Sequence, residues 1–247
     1  MRAIAIILRR ELKSQFGGPL GWVLIAAFAV LANWFFYSDL TWYVLFGGAN
    51  LQLGLWRYVF LDIRMVTMVV PPLLTMRLIA EERKLGTLEL LWSLPVRDHE
   101  LLLAKFLTAM AVYLAMLVAT LPGPLMLHVL HPFAWQPVAG GYLGLVLLGG
   151  VFIACGVAAS AAAENQLVSA MLTYAAAMLF WFGGWNEAAL PEALAPVLSV
   201  LSLFDRFYGF AQGVIDSRDV AYLLALTVFF LYLGLVALGS RAWRGTT

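Results

Sequence analysis

The chain has 247 residues, of which 63% are hydrophobic and only 12% are charged, and its mean hydropathy is +0.90. Soluble domains contain about 45–50% apolar and about 25% charged residues, so this composition excludes a soluble enzyme, a disordered segment and a secreted disulfide scaffold. The formal net charge of +1 gives no general attraction for nucleic acid, which is not expected as a partner. The composition therefore predicts an all-α integral membrane protein.

Residues 1–18 are predicted to form an amphipathic helix that lies in the membrane interface. Ile4, Leu8, Leu12 and Phe16 recur at every fourth position and form one apolar stripe. Arginine and lysine residues occupy the other side, which is typical of a helix whose basic face meets the lipid headgroups. A plain positively charged anchor is the alternative interpretation.

Residues 19–247 are predicted to form a transmembrane domain of six helices. A span requires about 20 mostly apolar residues. The stretches that meet this condition lie near Leu20–Tyr37, Val59–Leu78, Phe106–Leu127, Pro137–Ala162, Leu167–Trp185 and Val220–Gly239.

The second predicted span contains charged residues and a pair of prolines. Asp62 and Arg64 lie near one end of it, and Pro71 and Pro72 lie in its middle. Backbone groups that proline leaves unbonded must be satisfied by protein rather than by lipid, so we expect this span to face other helices. The proline pair is interpreted either as a hinge or as a packing feature.

The distribution of basic residues predicts the orientation of the chain. Most of the fifteen lysine and arginine residues fall in segments that face the cytoplasm if the amino terminus lies inside. Both termini are therefore predicted to be cytoplasmic, in a multi-pass protein of the bacterial inner membrane. Aromatic residues such as Trp34, Trp42 and Trp135 cluster toward the proposed outer face, as in an interfacial belt.

Residues 76–105 are predicted to form a cytoplasmic loop between the second and third spans. Within it, Thr87 can cap a short helix that ends at Pro95. The apolar face of this helix, at i, i+3 and i+4 spacing, consists of Leu88, Leu91 and Trp92. Such a helix is suited to a groove on a soluble partner, whereas a solvated connecting loop is the alternative.

Two further features concern the opposite side and the packing of the helices. Residues 186–219 are predicted to be an extracytoplasmic loop with a re-entrant or surface-lying helix pair, which shapes an outer gate or serves only as a lid. Small residues recur in the fourth span, as at Gly140 and Gly144 and again at Gly141 and Gly149. This spacing lets helices approach closely and predicts a tight bundle, with dimerisation as a further option.

Motifs for nucleotide binding or hydrolysis are absent from the sequence. It contains no phosphate-binding Gly-x-x-x-x-Gly-Lys-Ser/Thr loop, no His-Glu-x-x-His and no Gly-x-Ser-x-Gly. His128 and His131 stand three positions apart without a neighbouring cysteine or carboxylate, so no metal site is predicted. Ion-coupled transporters place ionisable residues inside their spans, which the third to sixth spans lack. The energy for transport is therefore expected to come from another protein.

Four stretches at and after the second span form the most specific pattern in the chain: Pro72-Leu73-Leu74-Thr75-Met76-Arg77, Ala80-Glu81-Glu82-Arg83-Lys84-Leu85-Gly86-Thr87-Leu88-Glu89-Leu90-Leu91, Leu94-Pro95-Val96 and Lys105-Phe106-Leu107. With Arg10-Glu11-Leu12-Lys13 and Glu164-Asn165-Gln166, this pattern resembles the ABC-2 family of ATP-binding-cassette permeases. More narrowly, it is similar to the gliding-motility (GldF-like) type. Gly17-Gly18 and Ala163 depart from the family pattern, where serine and threonine are expected.

The resemblance implies a six-helix permease of the type V exporter-like fold, with a cytoplasmic coupling helix between the second and third spans. It implies dimerisation with a second copy or a paralogue in the lipid membrane. It also implies two cytoplasmic ATPase subunits, which bind ATP and magnesium, so that this chain needs no cofactor and has no catalytic residues.

The resemblance assigns the contact with the ATPase to a set of residues in the loop. Glu81, Glu82 and Arg83 would offer charges to the ATPase, and Gly86 would permit a tight turn. The apolar residues that follow would anchor the coupling helix. The set comprises Glu81, Glu82, Arg83, Gly86, Thr87, Leu88, Glu89, Leu91, Trp92 and Pro95. A second cytoplasmic turn, formed by Glu164, Asn165 and Gln166, is expected to make a smaller contact.

These observations predict a permease subunit that couples ATP hydrolysis by separate subunits to export of an amphipathic substrate, or to work outside the membrane. One alternative is a permease of the nitrous-oxide-reductase-maturation type, in which His128 and His131 would matter more. Another is a non-transporting mechanotransmitter that acts on a periplasmic auxiliary protein through residues 186–219. A membrane-embedded enzyme is disfavoured because the chain lacks a polar catalytic cluster.

Overall fold

The computed structural model of the protein describes residues 2–46, 54–84, 86, 97–182 and 202–240, and these residues are mostly helical with no strand among them. The helices, in chain order, are α1 (Arg2–Gly17), α2 (Pro19–Phe46), α3 (Gly54–Thr75), α4 (Ala80–Lys84), α5 (Asp98–Val118), α6 (Pro122–Leu130), α7 (Gln136–Ala162), α8 (Gln166–Phe182), α9 (Leu203–Ala211) and α10 (Ser217–Gly239).

Five helical segments within the described ranges are long and apolar enough to cross a membrane. They are Gly21–Phe46, Gly54–Lys84, Asp98–Leu130, Gln136–Ala162 and Ser217–Gly239, and each overlaps a predicted span. The remaining predicted span falls on α8, which has 17 residues. Residues 183–185 of that prediction lie outside the described part of the chain, so the number six stays a prediction.

The first predicted span is too short, because α2 continues nine residues beyond Tyr37, to Phe46. Asp39 and Thr41 end the apolar run without ending the helix. The hydroxyl of Thr41 donates to the carbonyl oxygen of Tyr37 at 2.8 Å, so its polar group is satisfied within the helix. The apolar run therefore located α2 but not its end.

The third predicted span is not one continuous helix. Its first part, α5, begins at Asp98 and ends at Val118, and α6 begins at Pro122 after a turn. Pro122 has no N–H to donate to the carbonyl one turn earlier, which ends the hydrogen-bond ladder. The hydroxyl of Thr120 lies in this break, 2.7 Å from the hydroxyl of Tyr142.

The buried helix α7 lies at the centre of the bundle and contacts α3, α5, α8, α9 and α10. Its glycines permit these close contacts. A Cβ atom at Gly149 would overlap the ring of Tyr113, and one at Gly156 would overlap the side chain of Thr75. The tight packing predicted for this span is therefore present.

The helix α3 continues through Pro71 and Pro72, and both prolines are buried. The hydroxyl of Thr75 donates to the carbonyl of Pro71 at 2.8 Å, and the hydroxyl of Tyr174 in α8 donates to that of Val69 at 2.9 Å. Side-chain hydroxyls therefore bond the backbone beside the prolines, in agreement with the expectation that this span faces other helices. A hinge at this point stays a prediction.

The polar segments lie at two ends of the bundle. The α1 end comprises α1, α4, the start of α5 and the α7–α8 connection; the α9 end comprises α6, α9 and the first turns of α3 and α10. At the α9 end, Arg57 donates to the hydroxyl of Tyr208 at 3.1 Å, and Arg206 pairs with Asp219 at 2.8 Å. These contacts hold α9, the described helix of the predicted 186–219 loop, against α3 and α10.

Candidate functional site

An ion-paired cluster lies at the α1 end, where α1, α4 and α5 meet. The Nζ atom of Lys105 in α5 lies 2.7 Å from Oε1 of Glu82 in α4 and 3.2 Å from Oε1 of Glu11 in α1. Arg10 completes the arrangement, with Nη2 2.8 Å from Oε1 of Glu11 and 3.6 Å from Oε1 of Glu82. We call these four residues the charge cluster.

The charge cluster is largely buried, so it connects three helices and differs from an exposed surface ion pair. The Lys105 side chain is 2% exposed and the Glu82 side chain 18%, whereas the Arg10 side chain is 56% exposed. A lysine is almost never fully buried unless it is paired. Because the paired groups lie on three different helices, a movement of α4 cannot leave α1 and α5 unchanged without separating buried charges.

The position of Glu11 adds a polar residue to the buried face of α1 that the apolar stripe did not indicate. The prediction used the stripe of Ile4, Leu8, Leu12 and Phe16, yet Ile7 and Glu11 are the residues of α1 most buried in the described part of this helix. The carboxylate of Glu11 enters the buried face because the ammonium of Lys105 compensates its charge. The spacing of apolar residues alone does not indicate such a face.

Arg83 binds the carboxyl end of α7. Its Nη2 donates to the carbonyl of Ala161 at 3.0 Å, and its Nη1 donates to the carbonyl of Ala163. The last carbonyls of a helix lack partners within the helix and carry partial negative charge, so a guanidinium is well matched to this position. Arg83 therefore attaches α4 to the central helix.

Ser160 attaches the start of α4 to the same helix. Its Oγ accepts hydrogen bonds from the N–H groups of Ile79 and Ala80, each at 3.1 Å. These N–H groups belong to the residue before α4 and to its first residue, which have no partners within that helix. A buried serine of α7 thus satisfies the N-terminal end of α4.

A cavity of about 570 Å³ opens beside the charge cluster. It carries charges of both signs and is lined by Arg10, Glu11, Ser14, Gln15, Gly18, Arg77, Leu78, Glu81, Glu82 and Lys105. The Nε atom of Arg77 is buried and has no hydrogen-bond partner within the residues that the structure describes. The cavity therefore offers polar groups where α1, α4 and α5 meet.

The predicted coupling residues divide into three groups. Glu81 lines the cavity, whereas Glu82 and Arg83 make the internal contacts described above. Gly86 has φ of +68° and donates its N–H to the carbonyl of Arg83 at 3.0 Å, a left-handed conformation that favours glycine. The other predicted residues lie outside the described part of the chain: Thr87, Leu88, Glu89, Leu91, Trp92 and Pro95.

The second predicted turn lies beside α4. Glu164 and Asn165 are exposed, and Gln166 begins α8. The side-chain oxygen of Asn165 accepts from the N–H of Val168 at 3.0 Å and so caps α8. Because Arg83 binds the carbonyl of Ala163, the structure brings this turn and α4 together.

The histidine pair lies at the α9 end, far along the bundle from the charge cluster. His128 contacts the ring of Phe133, with centroids 5.0 Å apart, and accepts from Nε1 of Trp135 at 3.4 Å. His131 is exposed at the end of α6. In the described ranges no group of three or more histidine, cysteine, aspartate or glutamate residues is arranged to hold a metal ion.

Sequence reasoning missed Glu11, Lys105 and Ser160 as functional partners of α4. Lys105 follows the apolar run Leu101-Leu102-Leu103-Ala104, and a charge on an otherwise apolar face is the available signal for a buried pair. The local sequence does not indicate which residues pair with Lys105, because one partner, Glu82, lies on α4 and the other, Glu11, lies on α1.

Residues 57–239 match the model of a protein family described as the ABC-2 family of transporter proteins. The match begins in the first turn of α3 and ends with α10, so it includes Glu82 and Lys105 but not Arg10 and Glu11. A search of curated proteins finds no match to the chain. Membrane domains of this family are permease components without an ATPase site of their own, and they generally work with cytoplasmic ABC ATPase subunits. The chain belongs to the ABC-2 transporter family, as a multi-pass permease component of an ABC transporter.

Proposed function

We propose that this chain dimerises in the bacterial inner membrane and couples ATP hydrolysis by two cytoplasmic ATPase subunits to the outward movement of an amphipathic substrate. Membership of the ABC-2 family supports the permease role. The narrower gliding-motility (GldF-like) assignment rests on the resemblance of sequence motifs alone, chiefly those in residues 72–107. ATP and magnesium are bound by the ATPase subunits in this proposal.

The charge cluster is the observation that carries the proposal. A coupling element must transmit movement of a soluble partner to the membrane helices. Glu82 lies in α4, the helix that precedes the proposed coupling helix at residues 87–95, and it is paired with Lys105 of α5 at 2.7 Å. Buried ion pairs resist separation because each lone charge would be left in a low-dielectric environment. A displacement of residues 87–95 is therefore transmitted through α4 to α5.

A second connection runs from the same segment to the centre of the bundle. Arg83 holds the last carbonyls of α7, and Ser160 of α7 holds the first N–H groups of α4. Since α7 contacts α3, α8 and α10, displacement of α4 reaches most of the bundle. This supports a rigid-body mechanism, with Pro71 and Pro72 of α3 as the proposed hinge.

The contacts of α4 support a narrower set of residues that meet the ATPase. Glu82 and Arg83 act as internal positioning residues, because their charged groups are engaged by Lys105 and by α7. Surface contacts are assigned to Glu81, to the exposed second turn at Glu164 and Asn165, and to the apolar anchors of the coupling helix. These anchors, by resemblance, are Leu88, Leu91 and Trp92.

The docking assignment is tested with the chain co-purified with its cognate ABC ATPase. Leu91→Glu is expected to abolish co-purification, because a charge would replace an apolar anchor, and to leave the thermal unfolding midpoint of the permease unchanged. Ile215→Glu is the matched control, since Ile215 is an exposed apolar residue of the α9–α10 connection. Co-purification of Leu91→Glu in wild-type amounts, with ATPase activity still stimulated by the permease, contradicts the assignment.

Reconstitution distinguishes transport from work on a periplasmic partner. Proteoliposomes that contain the complex and a fluorescent amphiphile are expected to move the amphiphile between leaflets only when ATP is present. ATP hydrolysis without any such movement, but dependent on an added periplasmic protein, would favour the mechanotransmitter instead.

A further inference from the structure

A small pocket lies at the α9 end, between α2 and α3. Its volume is about 280 Å³, and it is lined by Ser38, Asp39, Trp42 and Tyr58. The rings of Trp42 and Tyr58 stand edge to face, with centroids 6.0 Å apart at 62°. A carboxylate and two aromatic rings thus line one opening, and the coupling proposal uses none of these residues.

Asp39 carries an unused acceptor in this pocket. Its Oδ2 atom is buried and makes no hydrogen bond to any residue that the structure describes. A buried carboxylate oxygen without a donor is costly, so this position favours a ligand that carries hydrogen-bond donors and positive charge.

The aromatic rings favour the same kind of ligand. Faces of tryptophan and tyrosine attract cations through the ring quadrupole. Tyr58 already makes such a contact, because Cζ of Arg57 lies 4.8 Å from its ring centroid. Arg57 also donates to the hydroxyls of Tyr58 and Tyr208. Because the Tyr58 ring is engaged by Arg57, the combination of Asp39 with the ring of Trp42 is what matches an organic ammonium group.

The depth of the pocket indicates where this ammonium group comes from. Asp39 lies twenty residues beyond Pro19 in α2, which at 1.5 Å per residue is about 30 Å, the thickness of the hydrocarbon core. The exposed side chains of Trp34, Tyr37 and Trp42 on the same helix are typical of the interfacial layer. The pocket therefore lies at the level of the lipid headgroups.

We propose that Ser38, Asp39, Trp42 and Tyr58 form a binding site for the ammonium group of an amphiphile, of which a phosphatidylethanolamine headgroup is the membrane-borne form. Asp39 accepts the N–H donors of the ammonium, Trp42 offers its ring to the charge, and Ser38 and Tyr58 complete the lining. The site does not depend on the coupling proposal, because it lies at the other end of the bundle.

The test measures lipid binding to the full chain by native mass spectrometry in detergent. Phosphatidylethanolamine and phosphatidylglycerol with identical acyl chains are titrated separately against the wild type, Asp39→Asn, Asp39→Glu and Trp42→Leu. We expect Asp39→Asn to weaken phosphatidylethanolamine binding by about tenfold, as loss of a charge-assisted contact predicts. Asp39→Glu, which keeps the charge, is expected to retain most of the affinity.

Two controls separate the site from general lipid contact and from misfolding. Trp34→Leu removes an exposed tryptophan of the same helix outside the pocket and is expected to bind both lipids as the wild type does, whereas Trp42→Leu weakens phosphatidylethanolamine binding alone. Equal phosphatidylethanolamine affinity of the wild type and Asp39→Asn overturns the proposal. An equal loss for phosphatidylglycerol also overturns it, because the site would then not recognise the ammonium.

Competition with soluble ethylammonium, which carries the same N–H donors as the lipid headgroup, identifies the source of the ligand. Displacement of phosphatidylethanolamine from the wild type, absent in Asp39→Asn, supports a site that also accepts free organic cations. Retention of the lipid at saturating ethylammonium, with the Asp39→Asn defect still present, supports a site for membrane-borne ammonium groups only.

Discussion

Lys105 lies at the centre of the contacts that join the predicted coupling loop to the membrane helices. Its ammonium is buried between the carboxylates of Glu11 and Glu82, at 3.2 Å and 2.7 Å. Removing one member of a buried ion pair leaves the other charge uncompensated, which typically costs about 3–5 kcal/mol. Arg10, on the exposed side of the same cluster, is expected to contribute far less, about 0–1 kcal/mol.

Replacement of Lys105 tests this joint. Lys105→Met is expected to lower the free energy of unfolding in detergent by about 3–5 kcal/mol, because two carboxylates lose their shared partner. Lys84→Met is the matched control, since Lys84 is an exposed lysine at the end of α4, and its effect is expected within about 0.5 kcal/mol. Denaturant titration measures both. Equal stability of the two variants would mean that the charge cluster does not hold α1, α4 and α5 together.

Among the elements, α4 depends most on its neighbours. It has only five residues, and isolated helices shorter than about 12 residues are marginal in water. Its order comes from Ser160 at its start, from the contact of Arg83 with α7 and from the contact of Glu82 with α5. A helix held in this way moves with the elements that hold it, which is the property required of a transmitter.

The central helix α7 allows a sharper prediction about packing. Gly149→Ala is expected to destabilise the protein by about 1–3 kcal/mol, because the added methyl group would overlap the ring of Tyr113. Gly150→Ala is the matched control on the next residue, where the nearest atoms lie 3.8 Å and 3.9 Å from the new Cβ. It is expected to be neutral or slightly stabilising, because alanine is a better helix former. The thermal unfolding midpoints of both variants are measured in detergent. A midpoint of Gly149→Ala at or above that of Gly150→Ala would contradict the close contact between Gly149 and Tyr113.

At the scale of the whole molecule, large apolar surfaces remain outside the bundle. Trp22, Val30 and Trp34 of α2 and Val228 and Tyr232 of α10 are all more than half exposed. In a membrane protein such faces meet lipid tails or another subunit. The two polar ends then lie on opposite sides of the bilayer, and the coupling proposal requires the α1 end to be cytoplasmic.

The single cysteine allows this orientation to be measured. Cys155 is buried in α7, so the wild-type chain is expected to resist a membrane-impermeant maleimide in intact cells. Ile215→Cys, in the connection before α10, is expected to be labelled from outside. Glu164→Cys, in the α7–α8 connection, is expected to react only after lysis. The reverse pattern would place α4 on the outer side and contradict coupling to a cytoplasmic ATPase.

Local patterns in the sequence determined the membrane class, the amino-terminal helix and most of the spans. The length of an apolar run and its flanking charges are properties of neighbouring residues, so α7 and α10 were predicted within a few residues of their bounds. The order of motifs around Glu81 to Pro95 was also sufficient to indicate the ABC-2 family, which the match to residues 57–239 supports.

Only the tertiary structure decided which charges face inward. Glu82 lies 23 positions before Lys105 in the chain, and Glu11 lies on a separate helix, so neither pairing follows from sequence spacing. The sequence places Glu82 and Arg83 in a predicted loop, where charged residues are usually solvated. They turn inward here because Lys105 and the end of α7 offer opposite charge in a buried place, and that complementarity exists only once the helices are assembled.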